Sequence, residues 1–169
     1  MLSWLSGGLV GLVVVYALAA AVVGRSELLA LLFGPVERSP IDFESLERGP
    51  APNQYLVAPA GFGSARVDAE APSFALTPEQ LRDRWVAALD GMPRVKMLSA
   101  DADRLQYNFE ERSRLVGFPD TITVRFLPDA GGGSTLAVYS RSHYGYSDLG
   151  ANEKRVKRWL ALLDSAAPR

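Results

Sequence analysis

The chain has 169 residues, 18 Lys and Arg against 19 Asp and Glu, and a formal net charge of −1. So even a balance excludes nucleic acid as a general partner, because phosphate recognition needs a strong excess of Lys and Arg on one face. The absence of Cys excludes disulfides, thiolate nucleophiles, zinc–thiolate sites and lipid attachment to cysteine.

Leu2 to Val23 is built almost wholly from Leu, Val, Ala and Gly and carries no charge. The ~20 residues a helix needs to cross a hydrocarbon core are present, so an N-terminal transmembrane helix and a single-pass place in the cell membrane are expected. The small residues from Ala17 to Ala21 also suit a cleaved export signal. The apolar run exceeds the ~7–15 residues of a signal core, which favours a retained anchor. Leu28, Leu29, Leu31, Leu32 and Phe33 then lie along the interface, with Arg25 and Glu27 at headgroup depth, until Gly34-Pro35 ends the segment. Arg25 and Arg38 follow the span and pull the remainder toward the cytoplasm, whereas a leading apolar segment is what an exported protein carries. The soluble part is expected on the exported side, with the cytoplasmic side as the alternative.

From Val36 to Pro52 the chain is polar and acidic and is punctuated by Pro40, Gly49 and Pro50, which reads as a tether. The organisation expected is a membrane anchor over 1–34, a polar tether over 35–52 and a soluble α+β domain over 53–169. Tyr55 to Val57 reads as a short strand. The plainest helix starts at Thr77-Pro78-Glu79-Gln80, where Thr caps, Pro takes the first helical position and Gln80 completes a capping box. Leu81, Trp85, Ala88 and Leu89 form its apolar stripe, and Gly91 and Pro93 stop it.

Four segments with period two follow: Arg94 to Leu98, Arg104 to Arg112, Thr121 to Leu127 and Thr135 to Arg141. In the second, Leu105, Tyr107 and Phe109 alternate with Gln106, Asn108 and Glu110, which predicts a sheet with one wet face. A last helix over 150–164 carries Val156, Trp159, Leu160 and Leu163. The fold expected is therefore α+β: an N-terminal transmembrane helix followed by a two-layer sandwich of a four-stranded antiparallel meander flanked by two helices.

The stretch Tyr139 to Val156 resembles the C-terminal signature of the bacterial and plastid family known as domain of unknown function 1499, which looks like Arg-Ser-x-Ser-Arg-x-Gly, then Asp-x-Gly-x-Asn and a helix carrying Arg. Ser140, Ser142, Gly145, Asp148, Gly150, Asn152 and Arg155 match it, while Tyr139 and His143 stand where the family commonly has Arg. Ala51-Pro52-Asn53 and Gly117-Phe118-Pro119-Asp120 are similar to two further stretches of that family. The resemblance implies an architecture and a cell-envelope setting, and no activity.

The segment Ser140 to Arg155 is the candidate ligand site, with Arg141, His143, Asp148, Asn152 and Arg155 as its side chains, because a strand leaves the sheet there and turns into a helix N-terminus. The structural reading beside it is that Asp148 or Asn152 caps the helix and Gly145 and Gly150 serve a tight turn. His143 is the single histidine. Its strand neighbour Ser142 points to the opposite face, and no Gly-x-Ser-x-Gly elbow is present, so no catalytic residue is assigned. One His without Cys leaves no metal site and no cofactor is indicated. Lys154, Arg155, Lys157 and Arg158 form a basic cluster suited to a solvated helix face or to anionic lipid headgroups.

The function expected is a membrane-anchored, non-catalytic binding or assembly domain near the bilayer. Its partners are lipid, through Leu2 to Val23, and another envelope protein or anionic headgroups. Its alternatives are an enzyme of unknown reaction or a lipid-handling domain using Ser140 to Arg155.

Overall fold

The computed structural model describes residues 2–165, with side chains described from Val10 to Leu163. Two compact units divide the chain, Met1–Val36 and Glu37–Arg169.

The first unit holds two helices, α1 (Leu2–Val23) and α2 (Arg25–Phe33). Gly24 separates them at φ 96, a left-handed conformation that helix residues do not adopt, and the axis turns by 114°. This corrects the expected transmembrane helix. Among the described residues no single helix is long and apolar enough to cross a membrane, and only the bent pair Val10–Val23 with Arg25–Phe33 meets that test by length and composition.

The second unit is built on one sheet of six strands: β1 (Gln54–Ala58), β2 (Ala69–Glu70), β3 (Val95–Asp101), β4 (Gln106–Arg112), β5 (Pro119–Pro128) and β6 (Ser134–Ser142). Their order is β2-β1-β6-β5-β4-β3, antiparallel throughout except for the parallel pair β1 and β2. A four-stranded meander is therefore the wrong description, although β3 to β6 do form one within the larger sheet. β1 extends it beyond β6, with Leu56 opposite Tyr139. β2 is two residues long and carries no pattern by which a sequence could announce it. At the β5–β6 hairpin Gly133 has φ 92, and the Phe74 backbone passes too close there for any side chain.

Helices α3 (Pro78–Leu89) and α4 (Ala151–Ser165) pack on one face. The capping box at α3 is present in full, with the Gln80 amide nitrogen donating to Thr77 Oγ1 at 3.3 Å and Thr77 N donating to Gln80 Oε1 at 3.0 Å. Beneath the helices Leu81, Trp85, Val156, Trp159 and Leu163 meet Tyr107, Phe109, Ile122, Val124, Phe126, Leu136 and Val138 in one core. Trp85 contacts Trp159 edge to face with ring centroids 5.8 Å apart, and Phe126 at 6.1 Å.

The opposite face is not wet. Residues 38–48 run across it as an extended strap, seating Phe43 and Leu46 on Leu56, Ala58, Ala137 and Tyr139. Where the underlying strands present polar side chains, those side chains bond the strap. Asn108 Nδ2 donates to the Arg38 carbonyl at 2.7 Å and Gln106 Nε2 to the Ile41 carbonyl at 3.0 Å. Arg38 pairs with Glu110 at 2.7 Å. Arg125 bonds Glu44 and lies over the Phe43 ring, 5.5 Å from its centroid. The alternation in β4 is thus as the sequence predicts, but Gln106, Asn108 and Glu110 are buried beneath a second layer of chain.

Candidate functional site

Side-chain alternation along β6 divides the candidate residues between the two faces of the sheet. Ser140 and Ser142 continue the parity of Leu136 and Val138 and face α4, whereas Arg141 continues the parity of Ala137 and Tyr139 and faces the strap.

On the helix side Asn152 is wholly buried and every polar atom of its side chain is used. Its Nδ2 donates to the Asn53 carbonyl at 2.8 Å, to Ser142 Oγ at 3.0 Å and to Asp148 Oδ2 at 2.7 Å. Its Oδ1 accepts from Ser140 Oγ at 2.5 Å and from an Arg155 guanidinium nitrogen at 2.6 Å. Asp148 caps α4, accepting from the Gly150 and Asn152 amides at 3.0 and 2.7 Å. Asn53 reaches back to the Gly145 carbonyl at 2.7 Å, so the start of β1, the turn after β6 and the first turn of α4 are tied together.

Arg155, also buried, is the centre of this network. Its Nε donates to Glu111 at 2.6 Å and a terminal nitrogen to Asp120 at 2.5 Å. Arg158 adds a second contact to Glu111 at 2.9 Å. Burial pushes the Asp120 carboxyl above its ordinary range, against the pull of Arg155 and the Ser142 hydroxyl. The arrangement closes on itself: three carboxylates, two guanidinium groups, two hydroxyls and the Asn152 amide satisfy one another, which locks α4 to the ends of β4, β5 and β6.

On the strap side His143 Nε2 lies 3.0 Å from Thr121 Oγ1, which also accepts from Arg141 Nε at 3.3 Å. Burial is the main reason the imidazole pKa falls to about 4; Arg141 and Arg38 lower it further, while Glu110 and Glu37 oppose them. His143 is therefore neutral near neutral pH.

The structure thus brings Asp148, Asn152 and Arg155 together and sets Arg141 and His143 apart from them across the sheet. No Ser, His and Asp relay is assembled, since Ser142 bonds Asn152 while His143 faces Thr121. Among the described residues no group of three or more His, Asp or Glu is placed to hold a metal ion. The basic run at α4 is largely neutralised: Arg155 and Arg158 pair with Glu111, and Lys157 pairs with Glu153 at 2.6 Å. Two members of the network, Glu111 and Asp120, were not among the sequence candidates. Their signal was available, because Glu111 follows Tyr107 and Phe109 in parity and Asp120 precedes Ile122, Val124 and Phe126. A charge standing at an inward position of a strand marks a buried pair.

An α+β domain strapped on one face and locked by a buried Asn–Arg–carboxylate network is the class that fold and site define. Residues 39–163 match the model of the family described as protein of unknown function (DUF1499), and the chain belongs to that family. The match opens inside the strap and closes within α4, so it takes in the strap, the whole sheet and the network. No curated protein matches the chain.

Proposed function

We propose that the protein is a membrane-associated binding or assembly module, held at a bilayer by its apolar N-terminal unit and without catalysis of its own. The observation that carries this reading is the exposure of that unit's side chains: Leu12 at 70%, Leu18 at 63%, Val22 at 86% and Leu31 at 76%, with Leu32 and Phe33 alongside. Apolar area of that extent is unstable in water and marks a lipid or protein contact. The bent pair fits a bilayer better than a folded partner, because most of its described apolar side chains are exposed, with Leu29 the one that is buried and Tyr16, Ala19, Ala20, Leu28 and Ala30 half-buried.

Two further features support a module without chemistry. The polar network is consumed internally, with its amides, hydroxyls and charges facing one another. The space between sheet and helices is packed with side chains under 2% exposed, Trp85, Trp159, Phe126 and Ile122 among them. A lipid-handling domain needs several hundred Å³ there. The opening between α3 and β3 holds about 120 Å³.

Fractionation of cells producing the full chain tests the proposal. The wild type is expected in the membrane pellet, resistant to salt and released by detergent. Val14→Glu with Leu18→Glu should move the folded protein to the soluble fraction, and a wild-type chain found wholly in the aqueous fraction overturns the reading.

A further inference from the structure

In the unit that begins at Glu37, the large apolar side chains standing exposed among the described residues are Met97, Leu115, Tyr146 and Leu149. Three of these share one end of the sheet. Leu115 lies on the loop joining β4 to β5, and Tyr146 and Leu149 lie on the loop joining β6 to α4. The loops adjoin, because Asp120 pairs with Ser142 where β5 begins and β6 ends, and the Phe118 ring packs edge-on against Tyr144 with centroids 5.8 Å apart.

A single exposed leucine is ordinary, but Leu115 and Leu149 at 86% and Tyr146 at 72% on neighbouring loops are not scattered. Leu149 also sits at φ 54, where a side chain is disfavoured and glycine is not. The backbone is fixed in that conformation from both sides, by Leu149 N to Ser147 Oγ at 3.3 Å and Gly150 N to Asp148 Oδ1 at 3.0 Å. The fold accepts strain in order to project an apolar side chain into solvent.

Two observations say what covers this crown. Positive charge flanks it: exposed Arg114 precedes Leu115, and exposed Lys154 reaches back to the Leu149 carbonyl at 3.5 Å. Nearby Glu153 is engaged by Lys157. The chain also enters the folded unit at this end, immediately after the apolar helices. Glu37 is within electrostatic reach of Arg141 and His143, and Arg38 bonds Glu110 beside the start of β5.

We infer that Leu115, Tyr146 and Leu149 insert into the headgroup–acyl boundary of an anionic bilayer, with Arg114 and Lys154 against its headgroups, as a second membrane contact of this chain. The inference rests on the membrane association proposed above. A tyrosine at such a boundary buries its ring and keeps its hydroxyl wet, and each basic side chain adds an attraction that salt screens.

The chain lacks cysteine, so a cysteine placed at one position labels that position alone. Full-length chains carrying Leu115→Cys, Tyr146→Cys or, as a control on the outer face of α3, Asp83→Cys would each bear an environment-sensitive fluorophore. They would be mixed with vesicles of phosphatidylcholine alone or with phosphatidylserine. The labels at 115 and 146 should shift to the blue and be quenched by brominated lipid, more strongly with phosphatidylserine, while the label at 83 stays aqueous. Leu115→Asp with Leu149→Asp should abolish the phosphatidylserine preference of the 146 label. If the chain floats with vesicles while labels 115 and 146 remain aqueous, this contact is refuted and membrane association stands. If the chain does not float at all, both readings fall. A blue shift that appears without vesicles and grows with protein concentration assigns the crown to a second copy and overturns the lipid contact.

Discussion

On one face of the sheet Trp85, Phe126 and Trp159 stack edge to face beneath two helices, and on the other Gln106, Asn108, Glu110 and Arg125 lie beneath an extended strap. Both faces are buried, but by different physics. The helix face gains from apolar area and close packing, which are distributed over many residues and tolerate small displacements. The strap face gains from a few directed bonds and one seated ring, so its order depends on a segment without secondary structure of its own. The Arg155 network belongs to the helix face, where it replaces apolar contact at the end of the core. The comparison predicts deep, global losses from changes on the helix face and shallower, local ones from changes on the strap.

Removing the central cation should have the largest effect. Arg155→Met leaves Glu111 and Asp120 buried against an apolar stem, with Arg158 at 2.9 Å and Arg94 at 4.0 Å as the remaining counter-charges on Glu111. Breaking a buried pair from one side costs about 3–5 kcal/mol, read from denaturant unfolding. Because burial already favours the protonated Asp120 carboxyl, adding Asp120→Asn should recover part of that loss. A single variant within about 0.5 kcal/mol of wild type would mean that the network is not holding α4.

Phe43→Ala tests the strap. The ring is 2% exposed and is held between Phe62, at 5.8 Å, and the Arg125 guanidinium. A buried Phe→Ala change costs about 3–5 kcal/mol in a rigid core. Here the strap can follow the shrinking side chain, so a loss at or below the bottom of that range is expected. The more telling readout is hydrogen exchange: amides of residues 38–48 should lose protection while those of β5 and β6 keep theirs. A uniform loss across both faces would show that strap and helices unfold as one unit, and the contrast between the faces would fail.

What was legible in the sequence follows the same division. Period-two alternation placed β3 to β6, and the capping box and apolar stripes placed α3 and α4, because those signals are local and the helix face selects apolar residues directly. The strap was illegible, since a polar stretch with Pro40 and Gly49 has the composition of a linker whether or not another surface bonds its carbonyls. Gln106, Asn108 and Glu110 read as solvent-facing for the same reason: alternation reports polarity, not exposure. β1 was visible as a strand, but nothing in Tyr55 to Val57 said that it joins beyond β6. The candidate site was half legible. Asp148, Asn152 and Arg155 do converge, while Arg141 and His143 were grouped with them by nearness in sequence, and strand parity sends them to the other face.

His143 supplies the finest test of the two-faced arrangement, because its proton reports the strap side alone. Its pKa in the folded protein is about 4 against an ordinary value near 6.5, with burial the leading cause and the charges of Arg141, Arg38, Glu110 and Glu37 around it. Between those values the unfolded chain takes up a proton that the folded one refuses. Its contribution to stability is therefore complete above about pH 6.5 and is lost as pH falls toward about 4. His143→Gln, which keeps a group able to bond Thr121, should leave stability near pH 7 almost unchanged and flatten the decline on acidification. Asp120 acts with the opposite sign, since its raised pKa makes the folded state bind protons more readily, and it is common to both proteins, so it cancels in their difference. Denaturation midpoints compared from about pH 7 to about pH 4.5 decide the matter: curves that coincide near pH 7 and separate on acidification, with the wild type falling below the variant, place His143 in a buried, strap-covered setting, and parallel curves would mean that the imidazole is already in water.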